Sequence, residues 1–323
     1  MFSFHNTVIC PMVASDIKSR FSDEIDTSTD LNGIKLRFPL ISSPMDTIDS
    51  PVFFNKIYEL GGIGIIHRFM TLEKQLELYL KCPKETIVSI ASNILLEQTR
   101  FEILYNHGAR NFLIDVANGF SLNILPMLEL LQKNDCWVMT GSVADSFGYK
   151  WLQLYRTNAI RLGVATGSPC LTRFKTGISY PLLEGIRESK IYKKTSAIIA
   201  DGGLKGPDDL AKCLFLGADA AMMGNVFAHT VESQEGYLLG DKKKYRGMAS
   251  HAAMKNIGKI PRGIEGIEFE ITVDRTLEQV FEEFNDGLRS CMSYLNAHKI
   301  EEMKNGGRIV KIDSLNREGF NGK

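Results

Sequence analysis

What the 323-residue sequence lacks narrows its reading first. There is no excess of either charge sign: Lys plus Arg number 38, Asp plus Glu number 38, and the formal net charge is zero. A chain without a global field has no long-range attraction for nucleic acid or an anionic membrane, and neither is expected as a partner. No apolar run approaches the ~20 residues that a bilayer-spanning helix needs. The N-terminus lacks the charged segment followed by an apolar one that marks an export signal, so a cytoplasmic setting is expected. The six cysteines (Cys10, Cys82, Cys136, Cys170, Cys213, Cys291) form no Cys-x-x-Cys pair and have no histidine at ligand spacing. That argues against a zinc site and a disulfide scaffold, and for a reducing compartment where most thiols are small buried hydrophobes. Without a Ser/Pro-rich linker, a low-complexity segment or a fixed-period repeat, one domain over residues 1–323 is expected.

From residue 39 onward, apolar runs of strand length alternate with longer amphipathic stretches. Strands are predicted at Pro39–Ser43, Ile63–Ile66, Thr86–Ala91, Asn111–Val116, Cys136–Thr140, Ala159–Leu162, Ala197–Ala200 and Ala220–Met223, with helices such as Val52–Leu60, Leu72–Leu80 and Leu95–His107 between them. Near-continuous apolar strands alternating with helices indicate a parallel sheet covered on both faces. Eight such units predict an α/β fold of the (β/α)8 TIM-barrel type rather than an open sheet. Residues 1–38 read as a polar N-terminal arm. Residues 276–300 read as an amphipathic helix whose stripe (Leu277, Val280, Phe281, Phe284, Leu288) packs on the barrel. The polar stretch 301–323 reads as a loosely held tail.

In a barrel the catalytic groups sit just beyond the carboxyl ends of the strands. Strand seven ends in Asp201-Gly202-Gly203 and strand eight in Gly224-Asn225. Glycines there let backbone N–H groups approach an anion, and barrels commonly bind phosphate after strands seven and eight. The same residues also fit a tight turn with Asp201 capping a helix near Pro207, and both readings stay open. After strand six, Gly163-Val164-Ala165-Thr166-Gly167-Ser168-Pro169-Cys170-Leu171-Thr172-Arg173 presents a thiol with a hydroxyl two residues on and the cations Arg173 and Lys175 close by. A loop thiol beside cations is held partly as thiolate, the nucleophilic form. A lone cysteine is commonly a buried structural residue, but Gly, Ser, Pro and Thr neighbours are those of a loop. His67 and His229 read as satisfied loop or core histidines. Arg262 fits a phosphate contact and a solvated loop cation equally.

The cysteine loop, continued by Lys175-Thr176-Gly177-Ile178-Ser179-Tyr180-Pro181, resembles that of the IMP dehydrogenase/GMP reductase family. So do Ser42-Ser43-Pro44-Met45-Asp46-Thr47, Gly61-Gly62-Ile63-Gly64-Ile65-Ile66-His67-Arg68, Asp115-Val116-Ala117-Asn118-Gly119 and Tyr245-Arg246-Gly247-Met248-Ala249-Ser250, in the family's order, from about Ser19 to Leu295. The resemblance implies that Cys170 adds to C2 of a purine nucleotide to form a thioimidate, with Thr172 and Glu265 relaying protons. It implies that Ser168, Asp201, Gly202, Gly203, Gly224, Asn225 and Tyr245 hold phosphate and ribose beside Ser43 and Met45. Gly247, Met248, Arg262 and Gly266 complete the substrate site. Asp115, Asn118 and Gly119 would face the nicotinamide of NADPH, helped by Arg68 and by Ser19-Arg20 of a neighbouring subunit in a homotetramer. The carbonyls of Gly167 and Cys170 would contribute to a monovalent cation (K+) site, although Ala165-Thr166 stand where the family has Gly-Pro.

The two family activities share the covalent adduct and differ in how it is resolved. A dehydrogenase hydrolyses it, using a long flap with an Arg-Tyr pair and usually carrying inserted CBS modules. Here only Lys255-Asn256-Ile257-Gly258-Lys259-Ile260 joins Met254 to Pro261, and too few residues separate Asp46 from His67 for a CBS pair. The resemblance therefore implies NADPH-dependent reductive deamination of GMP, or of a related guanine nucleotide such as dGMP, to IMP and ammonia. The alternatives are a CBS-less IMP dehydrogenase acting with NAD and an inactive member that only binds nucleotide. Of four departures from the family's pattern, the last, near the base or ribose, raises the deoxy or modified substrate. Pro169 stands where a small aliphatic is usual, Ser142 for Asn, Asn225 for Gly, and Ala249-Ser250-His251 for Ser-Ser-Glu.

Overall fold

The computed structural model describes residues 1–233, 238–251 and 263–313. Eight strands form one parallel sheet: β1 Leu40–Ser42, β2 Ile65–Ile66, β3 Ile87–Ile90, β4 Asn111–Asp115, β5 Trp137–Val143, β6 Ala159–Leu162, β7 Ala197–Asp201 and β8 Ala220–Met223. Each pairs with its successor from β2 onward, and β8 pairs with β1. The circle closes at Ile63, whose carbonyl accepts from the Ser42 amide (3.0 Å) and whose amide donates to the Leu40 carbonyl (3.1 Å). The predicted (β/α)8 barrel is the observed fold.

The covering helices are α1 Pro51–Glu59, α2 Leu72–Leu80, α3 Ile94–Asn106, α4 Leu125–Lys133, α5 Ser146–Leu154, α6 Leu182–Tyr192, α7 Pro207–Leu216 and α8 Leu277–Tyr294. Their starts are written locally: Ser50 caps α1 ahead of Pro51, Asp145 caps α5, and Thr276 and Gln279 make a capping box on α8. The stripe Leu277, Val280, Phe281, Phe284, Leu288 and Met292 of α8 is buried, with the Phe281 ring 5.6 Å from that of Phe38.

Side chains alternate across a strand, so the inner set fixes what comes next. Leu113, Ala159 and Ile199 belong to the apolar cluster inside the barrel. Two residues further along their strands stand Asp115, Arg161 and Asp201, which therefore share the inner face at the catalytic end.

Three features differ from the sequence reading. The arm over residues 1–38 is not merely polar: a hairpin of Thr29–Asp30 with Lys35–Leu36 puts Leu31, Ile34 and Leu36 into the inner cluster, and the Trp137 indole donates to the carbonyls of Leu31 (3.1 Å) and Asn32 (3.2 Å). Isolated apolar residues among Asp, Asn and Lys give no periodic signal, yet burying them is favourable by about 25 cal/mol per Å². The tail is tied down as far as Ile312, whose amide donates to the Asn6 carbonyl (3.0 Å). Gly307–Lys311 pairs antiparallel with Thr7–Pro11, each strand satisfying the other's backbone groups, while 314–323 lie outside the described residues. Finally, an antiparallel sheet of Leu238–Leu239, Lys242–Arg246 and Glu268–Thr272 follows β8. Among the described residues no helix is long and apolar enough to cross a membrane.

Candidate active site

Close backbone packing shapes the loop after β6. Gly163 has φ +143°, and a Cβ there would lie 1.9 Å from the Asp201 carbonyl oxygen, so no other residue fits. The Thr166 hydroxyl donates to that same carbonyl at 2.7 Å. Further along, the Leu171 amide donates to the Glu265 carbonyl (2.7 Å), and the Ile267 amide donates to the Pro169 carbonyl (3.0 Å). Cys170 and Gly266 thus face each other as an antiparallel bridge. Gly266 is itself held by the Ala249 carbonyl (3.2 Å), and Gly247 by that of Ile267 (3.1 Å).

This interleaving brings together three side chains distant in sequence. The Cys170 thiol donates to the Thr172 hydroxyl at 3.3 Å, and that hydroxyl donates to the Glu265 carboxylate at 2.5 Å. All three are half-buried. The expected cationic neighbours are directed elsewhere: Arg173 lies over the Phe174 ring and Lys175 donates to the Ile264 carbonyl. Burial pushes the thiols of Cys82 and Cys291 up to about 12, that of Cys136 to about 11 and that of Cys213 well upward, as structural thiols behave.

On the strand-seven and strand-eight side, Gly202 (φ +88°) and Gly203 (φ +80°) are successive residues with positive φ, a backbone that glycine adopts without strain and that allows close approach to a ligand. A Cβ on Gly202 would meet the Thr166 hydroxyl at 2.5 Å. Asp201 does not cap the following helix, whose N-cap is Gly206; its carboxylate faces Arg161 (3.6 Å) and the Ser142 hydroxyl (3.5 Å) inside the barrel. Burial raises the Asp201 carboxyl to about 6, against the lowering effect of Arg161. A Cβ on Gly224 would lie 2.6 Å from the Met45 sulfur, 3.0 Å from the Tyr245 hydroxyl and 3.4 Å from Ser43 Cβ. The Tyr245 hydroxyl donates to Met45 (3.5 Å), and the Asp46 amide donates to the Met248 sulfur (3.4 Å). Asn225 opens a short helix to Ala228, and Ser168 is exposed on the cysteine loop.

Across the mouth, Asp115 ends β4. One of its carboxylate oxygens accepts from Arg161 at 2.8 Å and the other lies 3.3 Å from Arg68, which also donates to the Asp115 carbonyl (3.0 Å). Asn118 is exposed, while Gly119 packs so closely that a Cβ would sit 3.0 Å from Gly141 Cα. Arg161 is the residue sequence reasoning missed, since it hides in an apolar run. The available signal was a lone cation at an inward alternate of a strand.

Some expected members stand apart. Ser19 and Arg20 are exposed, and Arg20 lines a cavity of about 630 Å³ between α7, α8 and the N-terminal strand, so one chain does not bring them to Asp115. Arg262 and the segment Met254 to Pro261 lie outside the described residues. His67 is buried, accepts from the Phe69 amide (3.0 Å) and is held by burial at about 3, hence neutral; His229 sits 2.6 Å from the Thr272 carbonyl. Among the described residues no group of three or more His, Cys, Asp or Glu could hold a metal ion. The Gly167 carbonyl accepts from the Cys170 amide at 3.1 Å.

Comparison with known proteins fits this arrangement. A family model described as IMP dehydrogenase / GMP reductase domain matches residues 1–319. The chain is 31% identical to an inosine-5'-monophosphate dehydrogenase of Cryptosporidium parvum, over 90% of this chain and 87% of that protein. It is 30% identical to a GMP reductase of Buchnera aphidicola subsp. Acyrthosiphon pisum (strain Tuc7), over 88% of this chain and 85% of that protein. A Chlorobaculum parvum inosine-5'-monophosphate dehydrogenase is 33% identical over 70% of this chain, which spans only 49% of its length.

Proposed function

The chain belongs to the IMP dehydrogenase/GMP reductase family, and we propose that within it the protein is a reductase converting GMP, or a related guanine nucleotide, to IMP and ammonia with NADPH. One observation carries this reading: the unbroken path from the Cys170 thiol through the Thr172 hydroxyl to the Glu265 carboxylate. A nucleophile needs a base to take its proton, and an amine leaving group needs an acid to return one. This path can do both in turn. The thiol proton passes through Thr172 to Glu265, and the thiolate adds to C2 of the purine. The same proton then returns through Thr172 to the departing amine, which leaves as ammonia and takes up a further proton only once free in solvent. The thiolate is finally expelled as C2 is reduced.

The nicotinamide cofactor supplies the hydride when bound. The residues present fit such a group, because the β2–β4 side of the mouth offers a guanidinium (Arg68), an exposed amide (Asn118) and a glycine pressed against Gly141. Asp201, Gly202, Gly203 and Gly224, with Ser43, Met45 and Tyr245, would hold the nucleotide phosphate and ribose. Because Ser19 and Arg20 are exposed and remote from Asp115, a homotetramer in which they serve a neighbour's cofactor belongs to this reading. So does a K+ site at the Gly167 and Cys170 carbonyls, which a KCl titration of turnover tests.

The dehydrogenase reading is favoured by the 31% identity to the Cryptosporidium protein. Following the absorbance of reduced nicotinamide separates the two. Oxidation of NADPH with GMP or dGMP is expected, and reduction of NAD with IMP as the faster reaction would overturn the reductase assignment. Comparing GMP with dGMP in the same assay tests whether the altered Ala249-Ser250-His251 segment shifts the substrate.

A further inference from the structure

Arg161 is 5% exposed and lies inside the barrel between two carboxylates that serve opposite sides of the mouth. One terminal nitrogen donates to Asp115 at 2.8 Å and to the Gly141 carbonyl at 3.2 Å; the other stands 3.6 Å from Asp201 and 3.8 Å from the Met222 sulfur. The backbone makes room for it. Gly141 has φ +138°, and a Cβ there would lie 2.7 Å from Arg161 Cβ. Asp115 has a second cation, Arg68 at 3.3 Å; among the described residues the other group on the Asp201 carboxylate is the neutral Ser142 hydroxyl. The two anions are therefore unequal claimants on one guanidinium, and Asp201 is the more dependent.

We propose that Arg161 is a positioning residue: its planar fork holds Asp115 and Asp201 in fixed register and supplies the positive charge that the nucleotide-facing Asp201 needs to act as an anion. A planar guanidinium can address two carboxylates at once, which a point-like ammonium cannot. Among the described residues, the groups facing Asp201 are Arg161 from β6, Asp115 from β4, Ser142 near the end of β5 and Tyr245 from the antiparallel sheet after β8. Of these only Arg161 is cationic. The inference rests on the reading above, in which Asp201 holds the nucleotide, but its test also has an arm that needs no ligand.

The first measurement is GMP affinity by calorimetry from pH 5.5 to 8.5 for the wild type, Arg161→Gln and Arg161→Lys. For the wild type, affinity falls as pH drops through about 6. In Arg161→Gln the midpoint moves up by at least about one unit, so that binding below it weakens by about tenfold per unit; Arg161→Lys moves it less. The second measurement is thermal unfolding over the same range. Arg161→Gln should keep losing stability above pH 6, where the wild type levels off, and adding Asp201→Asn should remove that extra slope. A purely structural role would lower stability uniformly and move neither midpoint nor slope, which overturns the proposal. Wild-type protein that binds no GMP refutes the substrate reading alone, because the unfolding arm still decides the role of Arg161. If Arg161→Gln does not fold, Arg161→Lys carries both arms, and an unmoved midpoint and slope in it count against the proposal.

Discussion

Asp46 and Arg246, 200 positions apart in the chain, form a bidentate ion pair whose side chains are 11% and 5% exposed. The Arg246 Nε donates to Asp46 at 2.9 Å, and a terminal nitrogen donates to the same carboxylate. The pair fastens the loop after β1, which carries Ser43 and Met45, to the strand Lys242–Arg246, which carries Tyr245. Arg246 keeps a second anion, Glu268 at 3.6 Å, so removing Asp46 leaves buried donors unsatisfied rather than a lone charge, and such losses cost about 1–3 kcal/mol. Asp46→Asn should lower the unfolding free energy by an amount in that range and raise the nucleotide KM more than it lowers kcat. Chemical denaturation and initial rates check both. An unchanged KM would mean that the pair does not align the site.

Replacing the nucleophile gives the sharpest chemical test. Cys170→Ala should retain nucleotide binding and abolish turnover, since the covalent route runs through its sulfur. Substantial NADPH oxidation by that protein would refute the thioimidate.

Glu265→Gln keeps the shape of the relay and removes its base. Turnover should fall by about 10²–10⁴, the usual worth of general acid–base assistance, while nucleotide affinity stays within a few fold. Single-turnover rates of ammonia release read the effect, and a wild-type rate would remove Glu265 from the proton path.

Gly224→Ala tests the cradle. A Cβ there would sit 2.6 Å from the Met45 sulfur and 3.0 Å from the Tyr245 hydroxyl. Overpacking of this kind costs about 1–3 kcal/mol, and it would also push aside the residues expected to hold the nucleotide. Nucleotide KM should rise at least about tenfold with a smaller change in kcat, measured by steady-state kinetics.

The pH dependence has a definite sign. Burial raises Asp201 in the folded chain to about 6 from its ordinary 3.8. A raised carboxyl contributes stability that is fully present below the unfolded value and is lost as pH rises through the folded one. Asp201→Asn should therefore stabilise the protein above pH 6, by at most about 3 kcal/mol, and have little effect below pH 4. Melting temperatures across that range check it; equal shifts at both ends would contradict it.

Most of the barrel was legible in the sequence because parallel strands buried on both faces read as unbroken apolar runs, as in Ile87–Ile90 and Ala220–Met223. The cysteine loop was legible for a complementary reason: Gly, Ser, Pro and Thr around Cys170 break that pattern just where a strand ends. The hairpin over Thr29–Leu36 was not, since three scattered apolar residues carry no period.

The amino-acid order alone determined the eight barrel strands, the helix starts at Ser50, Asp145 and Thr276, and the placing of Cys170, Asp201 and Gly224 beyond the strands' carboxyl ends, since all of these follow from local patterning and capping. Only the tertiary structure decided that Thr172 meets Glu265, that Asp46 meets Arg246, and that Arg161 stands between Asp115 and Asp201. Those meetings depend on barrel closure and on glycine-permitted backbone contacts between segments up to 200 positions apart, and no local preference encodes them.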